Sequence, residues 1–308
     1  MARFLGVDGG GTKTAFVLLD ERGETVAEAT GPSCYYFAAG IDLVERVLRD
    51  GVERITAEAG IDPAGIDRAF FALPAYGEAS ADVPELDAIC GRVLGHDRYS
   101  CGNDMIAGWA GSLGGEDGVN VVAGTGSIAY GEWRGEGRRA GGLGEVFGDE
   151  GSGYWTAIRG LNVFSRMVDG RLPSGPLRAA IHEAVGAESE LDVIGVVIDG
   201  WAGKRDRIAA LSKVVTAAAA DGDEAAREVV AEAGRELAAL AVAVREGIGA
   251  ADERVPLSWS GGMFSDPGVL AAFRAALGDG WDLREPRTGP GVGAALYAMK
   301  QAGAALPA

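Results

Sequence analysis

The stretch FLGVDGGGTKTAFVLL, residues 4–19, joins two apolar runs through a turn of glycine and threonine. Residues 4–7 and 15–19 are short, apolar and bounded by turn residues, which is typical of paired β-strands. A second turn at residues 20–23 leads into another strand-like run at 24–29. The stretch therefore predicts a three-stranded meander with a glycine-rich turn at its first bend.

The next part of the chain alternates helices with short strands. Residues 41–59 carry apolar side chains at helical spacing, and residues 68–73 form an apolar, strand-like run. A second helix is expected to begin at Asp82, with Glu85 three residues later in a capping-box arrangement. An extended run at 98–101 and a helix at 105–113 follow.

The second half repeats the opening design. Residues 119–123, the turn GTGS at 124–127 and residues 128–133 again give strand, turn and strand, with a possible third strand at 138–141. The remaining predicted elements are a mainly helical stretch at 150–249, a strand at 255–260, a helix at 267–277, an extended run at 281–284 and a helix at 292–301.

This repetition predicts an α/β protein of two similar lobes. The N-terminal lobe is expected to span residues 1–112 and to be joined by a C-terminal helix within 289–308. The C-terminal lobe, 113–288, would carry the helical insertion. The cleft between two such lobes is the natural ligand site, and the lobes are expected to close on ligand about glycine-rich hinges.

Composition excludes several classes of function. The 308 residues include 28 Lys and Arg against 45 Asp and Glu, a net charge of −17 that disfavours binding to nucleic acid or an anionic membrane. Hydrophobic residues make up 47% of the chain, enough for a sizeable core. Glycine is in excess, with 50 residues grouped in clusters between apolar runs, and it has no collagen period. We expect a globular protein whose backbone approaches a ligand closely.

The cysteines and histidines restrict the chemistry further. Cys34, Cys90 and Cys101 have neither disulfide nor zinc spacing, which fits a reducing compartment. His96 and His182 are the two histidines, and no serine lies in a G-x-S-x-G elbow. No apolar stretch approaches the length of a spanning helix. The sequence therefore indicates a cytoplasmic protein whose acid–base chemistry depends on carboxylates.

The first turn has the composition of a phosphate and metal site. Gly10 and Gly11 allow backbone N–H groups to converge on phosphate oxygens, and Thr12 and Lys13 add donors. Asp8 can hold Mg²⁺ directly or through water. The turn is not a Walker A loop, because a strand rather than a helix follows it. A plain hairpin turn is the alternative.

The second turn matches the sequence of a dinucleotide-binding motif but not its expected secondary structure. Residues 124–129 read G-x-G-x-x-A after a strand, and Glu145 follows at a distance suited to a ribose-binding acid. A Rossmann turn must open a helix, however, whereas residues 128–133 alternate as a strand does. We therefore prefer a second phosphate-binding hairpin, with Thr125 and Gly126 at its tip, to an NAD site.

Asn103 and Asp104 stand where a strand ends and a helix begins. In parallel sheets, side chains at this position reach the active crevice, so Asp104 is a candidate general base. A helix cap is the equally weighted alternative.

Two further glycine clusters are candidate ligand loops. Residues 141–144 and 148–153 combine acids with six glycines, which suits the hydroxyl groups of a sugar; a loop with capping acids is the alternative. Gly261 and Gly262 follow a buried-looking strand and could admit adenine against the backbone, or could form an ordinary strand-to-helix turn.

Taken together, these motifs resemble the N-acetylglucosamine kinases of the BadF/BadG/BcrA/BcrD ATPase family, within the sugar kinase, actin and chaperone superfamily. The resemblance extends over nearly the whole chain. It rests on the ordered motifs VDGGGTKT, ND, AGTGS, GGxG and GDEGSG, each weak alone and specific in combination.

The resemblance implies two ribonuclease-H-like lobes, ATP with Mg²⁺, and transfer of the γ-phosphoryl group to an amino sugar, at its 6-hydroxyl. Asp104 would be the base, and a homodimer is left open. The residues implied at the nucleotide are Gly10, Gly11, Thr12, Lys13, Thr125, Gly126, Gly261 and Gly262. Those implied at the sugar are Asn103, Asp104, Ser127, Gly142, Leu143, Gly144, Glu145 and Asp149.

Two departures from the family pattern leave the sugar open. Many relatives have Asn in the early loop, where this chain has Ser33-Cys34-Tyr35-Tyr36, and Trp where it has Leu143. Glucosamine or another amino sugar is therefore an alternative substrate. An ATPase that activates a partner enzyme and a sugar-binding regulator are the alternatives from other functional classes.

Overall fold

The computed structural model describes residues 1–202 and 204–307. Within these ranges the chain divides into two compact units: unit 1 comprises residues 1–118 and 284–308, and unit 2 comprises residues 119–283. The divisions fall at 118/119 and 283/284, against the expected 112/113 and 288/289. No helix among the described residues is both long and apolar enough to cross a bilayer.

Unit 1 is built on a five-stranded mixed sheet in the order β3-β2-β1-β4-β5. β1 to β3 form the predicted antiparallel meander, whereas β4 and β5 run parallel to β1. Its elements are β1 (Arg3–Gly9), β2 (Lys13–Asp20), β3 (Thr25–Pro32), α1 (Asp42–Ala59), β4 (Arg68–Leu73), α2 (Val83–Leu94), β5 (Tyr99–Asn103), α3 (Asp104–Leu113) and α11 (Pro290–Gln301).

Helices cover both faces of this sheet. On one face, Leu48 and Ile55 of α1 pack with Leu86 of α2 in a fully buried cluster. On the other, Ala294 and Ala295 of α11 pack in a second cluster. Burying each such Leu or Ile side chain contributes about 1.5–3 kcal/mol. The sheet is therefore anchored on both sides, and the ends of its strands are held at fixed positions.

Unit 2 repeats the order of unit 1, since its sheet runs β10-β9-β6-β7-β8. β7 and β8 are antiparallel, and β9 and β10 continue the sheet in parallel with β6. Its elements are β6 (Gly118–Ala123), β7 (Ser127–Trp133), β8 (Glu136–Gly141), α4 (Gly153–Val168), α5 (Pro176–Val185), α6 (Asp192–Ile194), α7 (Arg205–Ala209), α8 (Ser212–Ala220), α9 (Glu224–Gly247), β9 (Val255–Ser260), α10 (Pro267–Ala276) and β10 (Trp281–Leu283).

The first residues of strand β7 and helix α2 test two predictions made from the sequence. Ser127 begins strand β7, not a helix, so the hairpin interpretation is confirmed and the dinucleotide turn is wrong. The capping box at Asp82 is also wrong, because the Asp82 side chain makes no hydrogen bond to the first turn of α2. Its carboxylate instead accepts a 3.0 Å hydrogen bond from the hydroxyl of Tyr36.

Candidate active site

The first glycine turn connects β1 to β2 and is exposed at its tip. The backbone N–H of Gly10 donates to the carbonyl oxygen of Lys13 at 2.9 Å, which closes the turn. Gly11, Thr12 and Lys13 are exposed. The groups predicted to bind phosphate are therefore accessible to a ligand.

The early loop, residues 33–36, contacts this turn. The Ser33 hydroxyl donates to the carbonyl oxygen of Gly10 at 2.8 Å. Cys34 is fully buried, and a Cβ added at Gly9 would come within 2.6 Å of its Sγ. Burial raises the pKa of the Cys34 thiol to about 11. Tyr35 is 43% exposed, so the loop places its thiol in the interior and an aromatic ring on the surface.

Asp8 and Asp104 lie at the same ends of two parallel strands, β1 and β5, which are separated by β4. Asp8 is in register with Ala72 of β4, and Leu73, the next residue of β4, is in register with Asn103 of β5. Adjacent strands lie about 4.8 Å apart, so the backbones of Asp8 and Asn103 are separated by two such steps, about 10 Å. The fold thus brings the predicted metal ligand and the predicted base to one edge of the unit 1 sheet.

Asn103, rather than Asp104, caps helix α3. Its side-chain oxygen accepts from the backbone N–H of Met105 at 3.2 Å, and its side-chain nitrogen donates to the carbonyl oxygen of Tyr76 at 3.4 Å. Asp104 is the first residue of the helix proper. Since the capping position is filled by its neighbour, the carboxylate of Asp104 is not needed as the cap.

Both acids have a raised affinity for protons, and the charge of Asp8 contributes to the rise at Asp104. Burial raises the pKa of Asp104 to about 6, and the negative charge of Asp8 adds to the rise. Burial likewise raises the pKa of Asp8 to about 6, although the ammonium of Lys13 opposes it. A carboxylate with a pKa near 6 is suited to accept a proton at neutral pH.

The donor set at this edge fits Mg²⁺. Mg²⁺ is usually held by one or two carboxylates together with water and substrate phosphates. Asp8 supplies such a carboxylate beside the exposed turn. No group of three or more His, Cys, Asp or Glu side chains suited to a metal occurs among residues 1–202 and 204–307.

The second glycine turn, in unit 2, is held by the loop that leads into α4. The N–H of Gly153 donates to the carbonyl oxygen of Gly124 at 2.8 Å, and the N–H of Tyr154 donates to that of Thr125 at 3.2 Å. The hydroxyl of Ser127 donates to the carbonyl oxygen of Glu150 at 2.7 Å. The turn and the acid-rich loop therefore form one hydrogen-bonded assembly.

Asp149 is the buried centre of this assembly. It has a φ of +58°, a conformation uncommon for residues other than glycine. One carboxylate oxygen accepts from the N–H of Ser127 at 3.3 Å, and the other pairs with Arg205. Burial raises the pKa of Asp149, while the Ser127 N–H and Arg205 act against that rise. A Cβ added at Gly126 would lie 2.7 Å from Arg205 Nη2 and 2.9 Å from Asp149 Oδ2.

The loop predicted to bind sugar extends outward from this centre. The N–H of Gly142 donates to the carbonyl oxygen of Ser127 at 2.9 Å, which ties the start of the loop to the turn. Leu143 is 61% exposed, and Val146 and Phe147 are more exposed still. Glu145 returns to the assembly through its ion pair with Arg205, with an N–O distance of 3.3 Å.

A pocket of about 370 Å³ adjoins the second turn within unit 2. Its volume lies in the range of small-molecule sites, about 300–1,000 Å³. Gly262 lines the pocket. Gly261 has a φ of +100°, and a Cβ there would come within 2.4 Å of the Ala123 carbonyl oxygen, so the strand-to-helix turn requires glycine. The lining residues are Gly124, Thr125, Gly153, Asp206, Ala209, Ala210, Ser212, Lys213, Thr216, Gly262, Met263 and Asp266.

The predicted residues thus form two groups. Unit 1 brings Asp8, the first turn, Asn103 and Asp104 to one edge, whereas unit 2 joins the second turn to Asp149 and the pocket. Sequence reasoning missed Arg205, Asp206 and Lys213, which belong to the helical insertion. Arg205 and Asp206 lie in the charged segment KRDR at 204–207, which matches no motif, and Lys213 beyond it gave no signal either.

Similarity to known proteins extends over nearly the whole chain. The BadF/BadG/BcrA/BcrD ATPase family model matches residues 5–298. N-acetyl-D-glucosamine kinase of Dictyostelium discoideum is 29% identical over 278 residues, covering 87% of each chain. N-acetylmuramic acid/N-acetylglucosamine kinase of Clostridium acetobutylicum is 30% identical over 277 residues, covering 88% of each. A solved structure from Chromobacterium violaceum, provisionally assigned as an N-acetylglucosamine kinase, shares 25% identity with a TM-score of 0.73, over 97% of this chain and 99% of that one.

The predicted α/β class, with two mixed sheets of matching order, is therefore confirmed. The chain belongs to the BadF/BadG/BcrA/BcrD ATPase family, whose model spans nearly its full length.

Proposed function

We propose that this chain is an ATP-dependent sugar kinase that transfers the γ-phosphoryl group to the 6-hydroxyl of N-acetylglucosamine. The observation that carries the proposal is the pair of half-buried acids, Asp8 and Asp104, at the strand ends beside an exposed glycine turn. Membership of an ATPase family supports the use of ATP. Two relatives named as kinases of N-acetylglucosamine, similar over most of the chain, support the substrate.

In this proposal Asp104 is the general base. A pKa of about 6 leaves it ionised at neutral pH, so it can accept the proton of the sugar hydroxyl as that oxygen attacks phosphorus. Asn103 fixes the start of α3 by capping it, and Asp104 is thereby held at the strand end. Phosphoryl transfer otherwise depends on positioning and charge neutralisation rather than on covalent chemistry.

The remaining residues bind and orient the two substrates. Asp8 would hold Mg²⁺, which when bound neutralises charge on the phosphate oxygens. The first turn, through Gly10, Gly11, Thr12 and Lys13, donates hydrogen bonds to phosphate. The second turn and the unit 2 pocket take the nucleotide, with Thr125 and Gly126 at phosphate and Gly262 toward adenosine. Asp149, Glu145 and residues 142–144 accept hydrogen bonds from the sugar hydroxyls.

The proposal is tested by measuring ADP release from ATP and Mg²⁺ with a panel of sugars. The panel contains N-acetylglucosamine, glucosamine, N-acetylmannosamine, N-acetylmuramic acid and glucose. We expect release that depends on N-acetylglucosamine, with the phosphate identified at carbon 6 by NMR. A preference for glucosamine would retain the kinase and change the substrate. ADP release unaffected by every sugar would reject the kinase in favour of an ATPase that serves a partner.

A further inference from the structure

Arg205 links two carboxylates of the acid-rich loop. Its guanidinium pairs with Asp149, and its Nε lies 3.3 Å from an oxygen of Glu145. The Asp149 side chain is 4% exposed, so this contact is buried on the side of the acid. A guanidinium has a rigid planar fork of donors that can engage two acceptors in fixed directions. Arg205 therefore fixes the carboxylate of Asp149 through a hydrogen bond, whereas it attracts that of Glu145 by charge, since its Nε makes no hydrogen bond among the described residues.

The helix that carries Arg205 also borders the unit 2 pocket. Asp206 and Ala209 of α7 line the pocket, as does Ala210 directly after the helix. The carbonyl oxygen of Ala209 lies 3.5 Å from the position of a Cβ added at Gly153, whose N–H binds the second turn. One helix of five residues thus contacts the pocket through some side chains and the acid-rich loop through another.

We propose that Arg205 is a positioning residue that couples nucleotide binding to sugar binding. The inference rests on the proposed function, because it takes the pocket as the nucleotide site and Asp149 as a sugar ligand. Nucleotide in the pocket contacts α7 and restricts its position. The restricted helix holds Arg205, which in turn holds the carboxylate of Asp149 in the direction that the sugar hydroxyls require and keeps that of Glu145 close by charge.

Asp149 is the residue through which Arg205 acts. Its backbone has an uncommon conformation, and Arg205 is one of two groups that bind its carboxylate, the other being the N–H of Ser127. Without Arg205 the carboxylate keeps the single neutral hydrogen bond and can rotate. When a residue that binds the sugar is displaced by about 1 Å, the rate of the reaction can fall by about 100-fold.

The experiment compares Arg205→Gln and Arg205→Lys with a matched control, Arg207→Gln. Arg207 lies on the same helix but is exposed and stacks over Trp201, 4.8 Å from the ring centroid. Steady-state kinetics give KM and kcat for N-acetylglucosamine, and calorimetry gives the sugar Kd with and without the non-hydrolysable analogue AMP-PNP. In the wild type we expect AMP-PNP to tighten sugar binding by about 5-fold or more.

Arg205→Gln is expected to abolish this nucleotide effect and to raise the sugar KM by about 10- to 100-fold. Because coupling is reciprocal, the KM for ATP at saturating sugar should rise only by the lost coupling factor, about 5-fold. Arg207→Gln should retain wild-type values. Arg205→Lys keeps the positive charge without the planar fork of donors, so it should retain a reduced coupling. This variant replaces Arg205→Gln in the test if the latter does not fold. In an Asp149→Asn background, Arg205→Gln should add little.

Coupling of wild-type size in Arg205→Gln, or none in an active wild type, would overturn the inference and leave the kinase intact. If no sugar changes the rate of ADP release by the wild type, the proposed function itself is overturned.

Discussion

Each unit has acidic side chains near a glycine turn, but the acids of unit 1 and the acid of unit 2 have opposite electrostatic surroundings. In unit 1, the negative charge of Asp8 raises the pKa of Asp104, and both acids have a pKa of about 6. In unit 2, Asp149 is bound by Arg205 and by the N–H of Ser127. Similar strand–turn–strand sequences thus give a reactive pair of acids in one unit and a fixed acid in the other. The surroundings of the turn, more than the turn itself, decide what each acid can do.

The largest expected effect tests the reactive pair. Asp104→Asn keeps the shape of the side chain and removes the proposed base, so kcat should fall by about 10²- to 10⁴-fold. ATP should still raise the melting temperature, because the nucleotide site is unchanged. Asp50→Asn, an exposed acid on α1, is the control and should retain full turnover. Near-normal turnover in Asp104→Asn would remove Asp104 from the chemistry.

The second prediction contrasts the two turns directly. Gly126→Ala would place its Cβ within 3 Å of both Arg205 and Asp149, and such overpacking costs about 1–3 kcal/mol of unfolding free energy. Gly11→Ala meets no atom within 4 Å and should change stability by less than about 0.5 kcal/mol. Urea denaturation of both variants checks the difference. Equal losses would show that the second turn is no more restrained than the first.

The third prediction is that the reactive pair lowers stability. The pKa of Asp104 is about 6 when folded, above its ordinary value of 3.8, so the favourable protonation of the folded state is complete below about pH 4 and is lost as the pH rises through 6. In metal-free buffer at pH 7.5, Asp104→Asn should therefore gain about 1–2 kcal/mol. Thermal melts from pH 4 to 7.5 should show this gain shrinking toward pH 4. A gain independent of pH would contradict the electrostatic cause.

The smallest expected effect is a shift in pH dependence. Because the base must be ionised, kcat/KM for ATP should rise with pH through about 6 in the wild type. Asp8→Asn removes a neighbouring negative charge, which lowers the pKa of Asp104. In metal-free buffer, the titration of the Asp104 carboxyl group, followed by NMR, should therefore occur at lower pH in Asp8→Asn than in the wild type. The titration should keep its wild-type position in Asp50→Asn, and an unmoved titration in Asp8→Asn would show that Asp8 does not act on Asp104.

Local sequence was sufficient for most elements of the fold. The strands at 68–73 and 255–260 occur at the predicted residues, because each is an apolar run ended by proline or glycine. The repeated meander is confirmed as well, since each of the two sheets contains one copy of it. Patterns of this kind depend on neighbours within a few residues, which a single sequence displays.

Contacts between distant residues were not predictable in this way. The cap at Asp82 failed because Tyr36, 46 residues earlier, binds its carboxylate. Arg205 was missed because its partner Asp149 lies 56 residues away and the intervening chain is helical insertion. Asp8 and Asp149 were recognisable because they adjoin glycine motifs, and Asp104 because it follows the end of a strand. The charges that distinguish Asp104 from Asp149 arise only after folding.

The contribution of α11 to unit 1 has a consequence for synthesis of the chain. Ala294, Ala295 and Leu296 belong to the core beneath β1, and Gly6 has no room for a Cβ because the backbone of Ala295 lies against it. Residues 290–301 leave the ribosome only after all of residues 119–283. Unit 2 therefore has its complete sequence available while unit 1 still lacks one face of its core. Because domains generally fold as units during translation, the middle of this chain can complete its folding before the unit that contains the first residue.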